Sequence, residues 1–539
     1  MASPAWKNKL FYGDNLDSLK RLRDETIDLC YIDPPFNSKR TYNQIYNNIG
    51  GEDRAQAQAF IDTWIWDDQA NEGYQEILTN EKGRYKSQTI ELIKGLSSVL
   101  GKGSLLAYLV SMTRRIAEIQ RVLKPTGSFY LHCDPTSSHY LKLVLDGLFC
   151  SQGGDFINEI VWCYSHGGKS KRHFGRKHDI LLFYSKSENY TFNPDQVRIE
   201  MKSGKQSFGG RLEKDENGRE YRLVYGTKNS KGETKYYKYY LDQGKLPEDW
   251  WIDINSLQAT AAERLGYPTQ KPIALLERII KACSNEGDLV LDAYCGCGTT
   301  IAAAQKLNRR WIGMDITFQS ISLVLKRLED NFGTTVADNV EVAGQPRDMA
   351  SATALAHKSD DRLRKEFEKW AVLTYTRNRA AINEKKGADA GIDGTVYFLV
   401  TKTETDKMVF QVKSGGVGRG DIAKLKGDMA RVGAPLGTLI TLEEPSRPML
   451  TEAKAAGMYM HELLGRKIDR IQIVTVQDML EKRKRLDLPV SITTRKLSAD
   501  EDNQLELEFD QPSKRPSRKT PQRDETSPRP DQLRPTRHA

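Results

Sequence analysis

Residues 288–315 read DLVLDAYCGCGTTIAAAQKLNRRWIGMD, and this stretch decides the fold. The apolar run Leu289-Val290-Leu291 predicts a strand, the glycines after it predict a turn, and the Ala-rich segment predicts a helix. The run from Arg310 to Asp315 predicts a second strand that ends in an acid. A strand, a glycine turn, a helix and a second strand form the repeating unit of open α/β sheets.

The glycine turn is typical of a nucleotide site. Gly296 and Gly298 let the backbone approach a ligand closely, and the start of the following helix offers N–H groups to a carboxylate. Asp315 stands about 20 residues further on, where such units hold ribose hydroxyls. A nicotinamide-binding unit is the competing interpretation, but Thr300 and Ile301 stand where its third glycine is expected.

A second motif, Asp33-Pro34-Pro35-Phe36, follows the apolar run Ile27 to Ile32. The carboxylate of Asp33 and the carbonyl of Pro34 can each accept one N–H of an exocyclic base amine, which localises the lone pair on its nitrogen. The prolines fix φ near about −65° and donate no N–H, and Phe36 can stack on a flipped base. The tetrapeptide by itself is equally typical of a plain turn after a strand.

Together the two motifs resemble the beta group of DNA amino-methyltransferases that use S-adenosylmethionine, in which the catalytic tetrapeptide precedes the cofactor loop. This resemblance, over about residues 6–333, implies a Rossmann-like α/β sheet with a circularly permuted motif order. It implies a catalytic role for Asp33, Pro34, Pro35 and Phe36. The cofactor-binding residues that it implies are Asp14 at the adenine, Thr269 and Lys271 at the methionine end, and Asp292, Tyr294, Gly296, Gly298, Thr299 and Asp315.

The chain departs from the family pattern in the glycine turn. Ala293 and Tyr294 replace the usual Pro and Phe, and Cys297 replaces a more usual Ser. Because the tetrapeptide begins with Asp33, the resemblance favours N6 of adenine as the acceptor, whereas enzymes acting on N4 of cytosine more often have Ser there. Cytosine methylation stays open, and methylation of a protein glutamine is a more distant alternative.

Length and composition fit a multidomain enzyme with a polyanionic partner. The 539 residues exceed one ordinary domain, and the net charge of +9 suits duplex DNA, although scattered surface lysines give the same total. The seven cysteines have no zinc-site spacing, which favours a reducing cytoplasm. We find no signal peptide and no apolar run that could span a bilayer, so we expect no membrane association.

Residues 187–262 form a polar insert in the predicted methyltransferase domain, 1–342, and are the expected target-recognition region. Lys235 and Lys238 alternate with tyrosines there and are candidates for DNA binding, as are Lys169, Lys171 and Arg172 in a preceding basic loop. A β-hairpin with its tyrosines buried is the alternative interpretation.

After a predicted linker, 343–360, residues 361–497 predict a second, smaller α/β domain. Asp393 and the Gln411-Val412-Lys413 strand resemble the Mrr-like branch of restriction endonucleases, with Glu368, or Glu366 in its place, as the helix-borne acid. The resemblance implies a Mg²⁺ site at Asp393 and Gln411, with Lys413 positioning the attacking water.

Three interpretations of the second domain stay open: an enzyme that only methylates, a combined restriction and modification enzyme, and a domain that only binds DNA. A homodimer or a separate restriction subunit is open as a partner. Residues 498–539 carry many charges and prolines with few apolar side chains, and we expect them to be disordered.

Overall fold

The computed structural model of the chain describes residues 6–36, 40–48, 51–62, 64–165, 172, 174–200, 212–228, 232, 234–258, 261, 263–265, 267, 269–357, 361–383, 391–401 and 404–489. For residues 40–48, 51–62 and 361–363 only the backbone is described. The predicted DNA-binding residues Lys169 and Lys171 and the predicted disordered tail lie outside these ranges.

The strands, in chain order, are β1 (Lys9–Tyr12), β2 (Ile27–Ile32), β3 (Arg40–Asn48), β4 (Gly51–Asp62), β5 (Leu123–Cys133), β6 (Asp155–Cys163), β7 (His178–Ser185), β8 (Leu212–Lys214), β9 (Glu220–Lys228), β10 (Thr234–Tyr240), β11 (Trp250–Trp251), β12 (Leu289–Asp292), β13 (Arg310–Asp315), β14 (Glu341–Ala343), β15 (Ala381–Ile382), β16 (Gly394–Leu399), β17 (Thr405–Lys413), β18 (Leu436–Thr441), β19 (Met458–His461), β20 (Arg466–Asp469) and β21 (Ile471–Thr475).

The α-helices are α1 (Asn15–Arg21), α2 (Asp68–Thr79), α3 (Ser87–Leu100), α4 (Ser104–Val122), α5 (Ser138–Leu148), α6 (Ile273–Cys283), α7 (Thr299–Lys306), α8 (Phe318–Phe332), α9 (Thr334–Asp338), α10 (Met349–Ala356), α11 (Asp361–Tyr375), α12 (Arg419–Val432), α13 (Arg447–Ala455) and α14 (Val476–Glu481).

A nine-stranded sheet forms the centre of the N-terminal half, in the order β11-β6-β7-β5-β2-β12-β13-β1-β14. The strands from β5 to β14 in this order pair in parallel, and β7 runs antiparallel between β5 and β6. Every residue of β2 is buried, as expected for a parallel strand covered on both faces. The glycine turn joins β12 to α7, so the predicted α/β unit forms as expected.

Helices cover both faces of this sheet. Alternate residues of β2 enter different cores, because Cys30 and Ile32 pack with helices α3 to α5 whereas Leu29 and Tyr31 pack with α6 to α8. The predicted target-recognition insert contains a separate three-stranded antiparallel sheet, β10-β9-β8.

The C-terminal half contains a five-stranded mixed sheet in the order β15-β16-β17-β18-β21. Strands β16 and β17 pair antiparallel, whereas β17, β18 and β21 are parallel. Core residues such as Trp370 of α11 and Phe410 of β17 pack on one face of this sheet, and Leu425 of α12 packs on the other. This sheet and these helices lie within residues 361–497, the range of the predicted second α/β domain.

Residues 1–495 form one compact unit. The predicted linker contains α10, whose Ala352 and Ala356 are buried in the same core as Phe318 of α8. The two halves thus share packing rather than being joined by a bare connector. Among the described residues, none of the helices combines the length and apolar character that a membrane crossing requires.

Candidate active site

Four of the predicted carboxylates lie at one edge of the nine-stranded sheet. Asp14 lies two residues after β1 and Asp33 directly follows β2, while Asp292 and Asp315 are the last residues of β12 and β13. These strands are parallel, so their carboxyl ends meet where ligands bind in open α/β sheets. The fold therefore assembles the tetrapeptide and the glycine turn into one site.

The tetrapeptide is held by an ion pair from a distant segment. Lys271 Nζ lies 2.7 Å from Asp33 Oδ2, and it also lies 5.2 Å from the ring centroid of Phe36. Lys271 is only 7% exposed, so this contact is shielded from water. The ammonium group therefore holds Asp33 and Phe36 in one arrangement.

The ion pair with Asp33 is a contact of Lys271 that the motif did not predict. The expected role at the methionine end of the cofactor stays a prediction, as does that of Thr269. Thr269 is exposed and has a φ of +59°, a left-handed backbone conformation that is uncommon for a residue other than glycine.

A buried hydrogen-bonded network behind the tetrapeptide was missed by the sequence reasoning. His132, the penultimate residue of β5, has no exposed surface. Its Nδ1 lies 2.9 Å from the Tyr31 hydroxyl, and its Nε2 lies 3.0 Å from Asp179 Oδ2. The Phe36 ring stacks on the imidazole, with centroids 6.1 Å apart and planes at 21°. The sequence signal that could have indicated this network is a polar residue near the end of a buried strand beside β2.

The charge of Asp179 is favoured within this network. Burial acts to raise its pKa, but the hydrogen bond to His132 and the positive charge of Lys271 outweigh burial and lower the pKa. The hydroxyl of Tyr164 also donates to Asp179, at 3.2 Å. Asp179 therefore supplies a stable negative charge close to the Lys271–Asp33 pair.

The glycine turn is shaped by two residues with positive φ. Gly298 has a φ of +75°, and a Cβ at this position would lie 2.8 Å from a methyl carbon of Val324. Gly296 has a φ of +46°, and its N–H donates to Asp315 Oδ2 at 2.9 Å. Only glycine fits both constraints at position 298, and the carboxylate of Asp315 fixes the turn at position 296.

The carboxylates at this edge repel one another. Burial raises the pKa of Asp292 to about 7, opposed by hydrogen bonds from Thr300 and the Tyr294 N–H, and the charges of Asp33 and Asp315 raise it further. Burial also raises the pKa of Asp315, against hydrogen bonds from Thr317 and Gly296. Buried carboxylates that lie close together favour a cationic ligand, because its positive charge offsets their mutual repulsion.

The remaining predicted cofactor residues already have protein partners. Both carboxylate oxygens of Asp14 accept from Arg115 Nη2, at 2.8 and 3.0 Å. The hydroxyl of Thr299 accepts from the buried Arg327 at 3.0 Å, and the Tyr294 hydroxyl lies 3.5 Å from Met112 Sδ. Arg115 was not predicted from the sequence, and it fixes the position of Asp14.

The target-recognition insert presents aromatic and basic side chains to solvent. Tyr236 and Tyr239 on β10 are 58% and 50% exposed, and Lys235 and Lys238 are exposed as well. Lys238 Nζ lies 4.7 Å from the ring centroid of Tyr221 on the paired strand. The predicted hairpin forms, but most of its tyrosines are not buried, contrary to the alternative interpretation. Arg172, in the basic loop, is also exposed.

The structure brings only some of the predicted nuclease residues of the C-terminal half together. Asp393 is held by the Val412 N–H, which donates to its Oδ2 at 2.6 Å. Burial and the charge of Glu368 raise the pKa of Asp393 to about 7, against the influence of Val412 and Lys413. Gln411 is 1% exposed and donates from Nε2 to Asp428 Oδ2. Across the ranges that the structure describes, no cluster of three metal-binding side chains occurs.

Glu366 does not serve as the alternative helix-borne acid of a nuclease, and that prediction is wrong. Its Oε2 accepts from the backbone N–H of Phe318 at 3.0 Å and from the Tyr12 hydroxyl at 3.4 Å. Its Oε1 accepts from Lys369 at 2.8 Å. The carboxylate is therefore turned towards the N-terminal half, away from Asp393 and Lys413.

The chain was compared with known proteins. The profile of the N6/N4 methyltransferase family, described as DNA methylase, matches residues 27–326. The DNA adenine methyltransferase YhdJ of Escherichia coli (strain K12) is 28% identical over 322 residues, 59% of this chain and 82% of that protein. The type II methyltransferase M1.MboII of Moraxella bovis is 32% identical over 228 residues, 40% of this chain and 79% of that protein.

Among solved structures, the cytosine-N4-specific PvuII DNA methyltransferase is similar at a TM-score of 0.36 and 14% identity, covering 62% of this chain and 92% of that one. Residues 363–481 match the profile of NACHT-associated inactive restriction endonuclease 1. The Mrr-like prediction is thus supported only as far as an endonuclease-like domain, and by a family described as inactive.

The sheet, the tetrapeptide and the glycine turn define an S-adenosylmethionine-dependent amino-methyltransferase. The chain belongs to the N6/N4 family of DNA methylases, which act on adenine or cytosine in restriction and modification.

The residues at the sheet edge fit this cofactor. Its sulfonium and ammonium groups are cationic, and the buried carboxylates of Asp292 and Asp315 favour such charges. The turn at Gly296 and Gly298 leaves no room for larger side chains.

The burial of Asp292 predicts a specific pH dependence of stability. In the folded protein the Asp292 carboxyl keeps its proton up to about pH 7, whereas its ordinary pKa is 3.8. Between about pH 4 and pH 7 the folded state therefore binds more protons than the unfolded state, and the protein loses stability as the pH rises. Asp292→Asn eliminates this titration, and we expect its loss of stability between pH 5 and 7 to be smaller by up to about 2 kcal/mol. Urea unfolding at pH 5, 6, 7 and 8 measures the difference.

Asp68→Asn, a change at an exposed carboxylate on α2, is the matched control and should follow the wild type. Parallel stability curves for Asp292→Asn and the wild type would show that Asp292 does not titrate in this range.

Proposed function

We propose that this protein transfers the methyl group of S-adenosylmethionine to N6 of an adenine flipped out of duplex DNA. One observation carries the proposal: Asp33 and Phe36 stand beside the glycine turn, held by Lys271 and His132. The cofactor supplies an electrophilic methyl group on a sulfonium when it is bound. The protein's part is to orient the amine and stabilise charge as the nitrogen attacks.

The chemistry follows from the position of each group. Asp33 and the carbonyl of Pro34 accept the two amine hydrogens, so that the nitrogen lone pair points away from the ring plane. The Phe36 ring, backed by the His132 imidazole, offers a stacking face for the base. The proton leaves the nitrogen only as the methyl bond forms, which is why a weak base such as a carboxylate suffices.

Two considerations favour adenine over cytosine. The tetrapeptide begins with an acid, which the family resemblance associates with adenine. The relative YhdJ, which this chain matches over 82% of that protein's length, is described as an adenine methyltransferase. Cytosine N4 is the alternative acceptor, since it carries the same kind of exocyclic amine.

Replacing Asp33 tests the proposed mechanism. We expect Asp33→Ala to lower methyl transfer by at least about 100-fold, because the amine loses the carboxylate that orients it. Binding of S-adenosylmethionine, measured by calorimetry, should change by less than about fivefold, since the predicted cofactor residues Asp14, Asp292 and Asp315 are unchanged. Transfer is measured with labelled cofactor and unmethylated plasmid, and mass spectrometry of the nucleosides identifies the base.

Asp68→Asn serves again as the control and should keep full activity. Methyl transfer by Asp33→Ala at near wild-type rates would eliminate the proposed mechanism. Methylated cytosine in the wild-type product would move the acceptor to N4 without changing the role of Asp33.

We further propose that the β9–β10 hairpin contacts DNA. Its exposed lysines can neutralise phosphates and its exposed tyrosines can stack on bases. The double change Lys235→Ala with Lys238→Ala should weaken binding of DNA duplexes and lower the slope of log K against log salt by about 2. Lys94→Ala, at an exposed lysine of α3 paired with Glu91, is the control. Unchanged salt dependence in the double variant would place the DNA elsewhere.

For the C-terminal half, we propose DNA binding without cleavage. The family that residues 363–481 match is described as inactive. Across the residues that the structure describes, no cluster of three His, Cys, Asp or Glu side chains that could hold a metal ion occurs.

Incubation of unmethylated plasmid with the wild-type protein and Mg²⁺ tests this proposal. We expect methylation without cuts, because residues 363–481 match a family described as inactive. Plasmid cleavage that Lys413→Ala abolishes would make the protein a combined restriction and modification enzyme.

A further inference from the structure

The start of α8 is completed by the C-terminal half. Phe318, the first residue of α8, is 3% exposed, and its side chain belongs to the core of the C-terminal sheet. Its backbone N–H, which has no partner within its own helix, donates to Glu366 Oε2 at 3.0 Å. A carboxylate at a helix N-terminus is favoured by the helix dipole. Glu366 of α11 therefore caps a helix of the methyltransferase sheet.

The same carboxylate oxygen reaches the end of β1. The Tyr12 hydroxyl donates to Glu366 Oε2 at 3.4 Å, and the Tyr12 ring packs edge-on against Phe318 with centroids 5.6 Å apart. Lys369 donates to the second oxygen, and the side chains of both Glu366 and Lys369 are 11% exposed. The Glu366 carboxylate is thus a buried charge, and both of its oxygens accept hydrogen bonds. These contacts fix its position.

These contacts lie directly behind the proposed cofactor residues. Tyr12 precedes Gly13 and Asp14, and Phe318 follows Asp315 by three positions. Tyr12 is in register with Asp315 in the sheet, and the Gly13 N–H donates to the Asp315 carbonyl at 3.0 Å. A shift of Tyr12 or Phe318 therefore moves both carboxylates that are expected at the adenosine end of the cofactor.

We propose that Glu366 is a positioning residue for S-adenosylmethionine, so that the C-terminal half forms part of the support of the cofactor site. Glu366 lies outside the residues that the family profile matches, 27–326. The inference rests on the proposed function. It assigns a role in cofactor binding to a domain that resembles an endonuclease.

Glu366→Gln in the full-length chain tests the proposal. Glutamine keeps the size but removes the charge that holds the Phe318 N–H, Tyr12 and Lys369. We expect the dissociation constant and the KM for S-adenosylmethionine to rise about 5- to 30-fold, with kcat at saturating cofactor and the KM for DNA within about twofold of wild type. Calorimetry gives the binding constant without any need for methyl transfer.

Glu329→Gln is the matched control. It removes a second contact between the halves, at the other end of α8, where Glu329 Oε1 lies 3.7 Å from Arg379 Nη2. We expect this variant to bind the cofactor like the wild type. Tyr12→Phe removes only the hydroxyl that reaches Glu366, and we expect a smaller rise in the dissociation constant, about two- to fivefold.

The outcomes separate the two proposals. Folded Glu366→Gln with an unchanged dissociation constant overturns the inference, as does equal weakening by Glu329→Gln or a fall in kcat and melting temperature without a change in cofactor binding. If Glu366→Gln does not fold, Tyr12→Phe with wild-type cofactor binding also overturns it. A wild-type protein that binds no S-adenosylmethionine would instead refute the proposed function.

Discussion

The ion pair between Lys271 and Asp33 is the contact on which the site depends. It joins two residues 238 positions apart and is almost fully shielded from solvent. A shielded ammonium beside a carboxylate is stable only when both are held by their surroundings. Here the surroundings are Phe36, against which the ammonium lies, and the negative Asp179 nearby. The tetrapeptide at 33–36, the strand β7 and the segment before α6 therefore adopt one arrangement together.

The second constraint is the crowding of acids at the carboxyl ends of parallel strands. The sheet places Asp33, Asp292 and Asp315 together. Burial is the main cause of the raised pKa of Asp292, and the negative charges of Asp33 and Asp315 raise it further. Hydrogen bonds from Gly296 and Thr317 offset part of this cost at Asp315. A site with an excess of buried negative charge and a close-fitting glycine turn is suited to a cationic nucleoside derivative.

The two halves of the compact unit are linked by packing rather than by sequence proximity. Phe318 enters the core of the C-terminal sheet, and Glu366 returns a carboxylate to the ends of β1 and α8. Through this shared core, the endonuclease-like C-terminal half contributes to the packing of the methyltransferase sheet. The orientation of Glu366 was invisible in the sequence, because Glu366 and Glu368 occupy one helix and only the packed structure decides which faces which domain.

The bounds of strands β1, β2 and β13 follow from the sequence to the residue, because their apolar runs are bounded by polar or turn-forming residues and β2 is buried throughout. The sequence by itself also determined the glycine turn, since only glycine allows the backbone of residue 298 so close to Val324. The tertiary structure alone decided the partners: Lys271 with Asp33, Arg115 with Asp14, His132 with Asp179 and Glu366 with Phe318. Local patterns encode burial and turns, whereas these polar pairs join distant segments whose approach is set by the packing of the whole sheet.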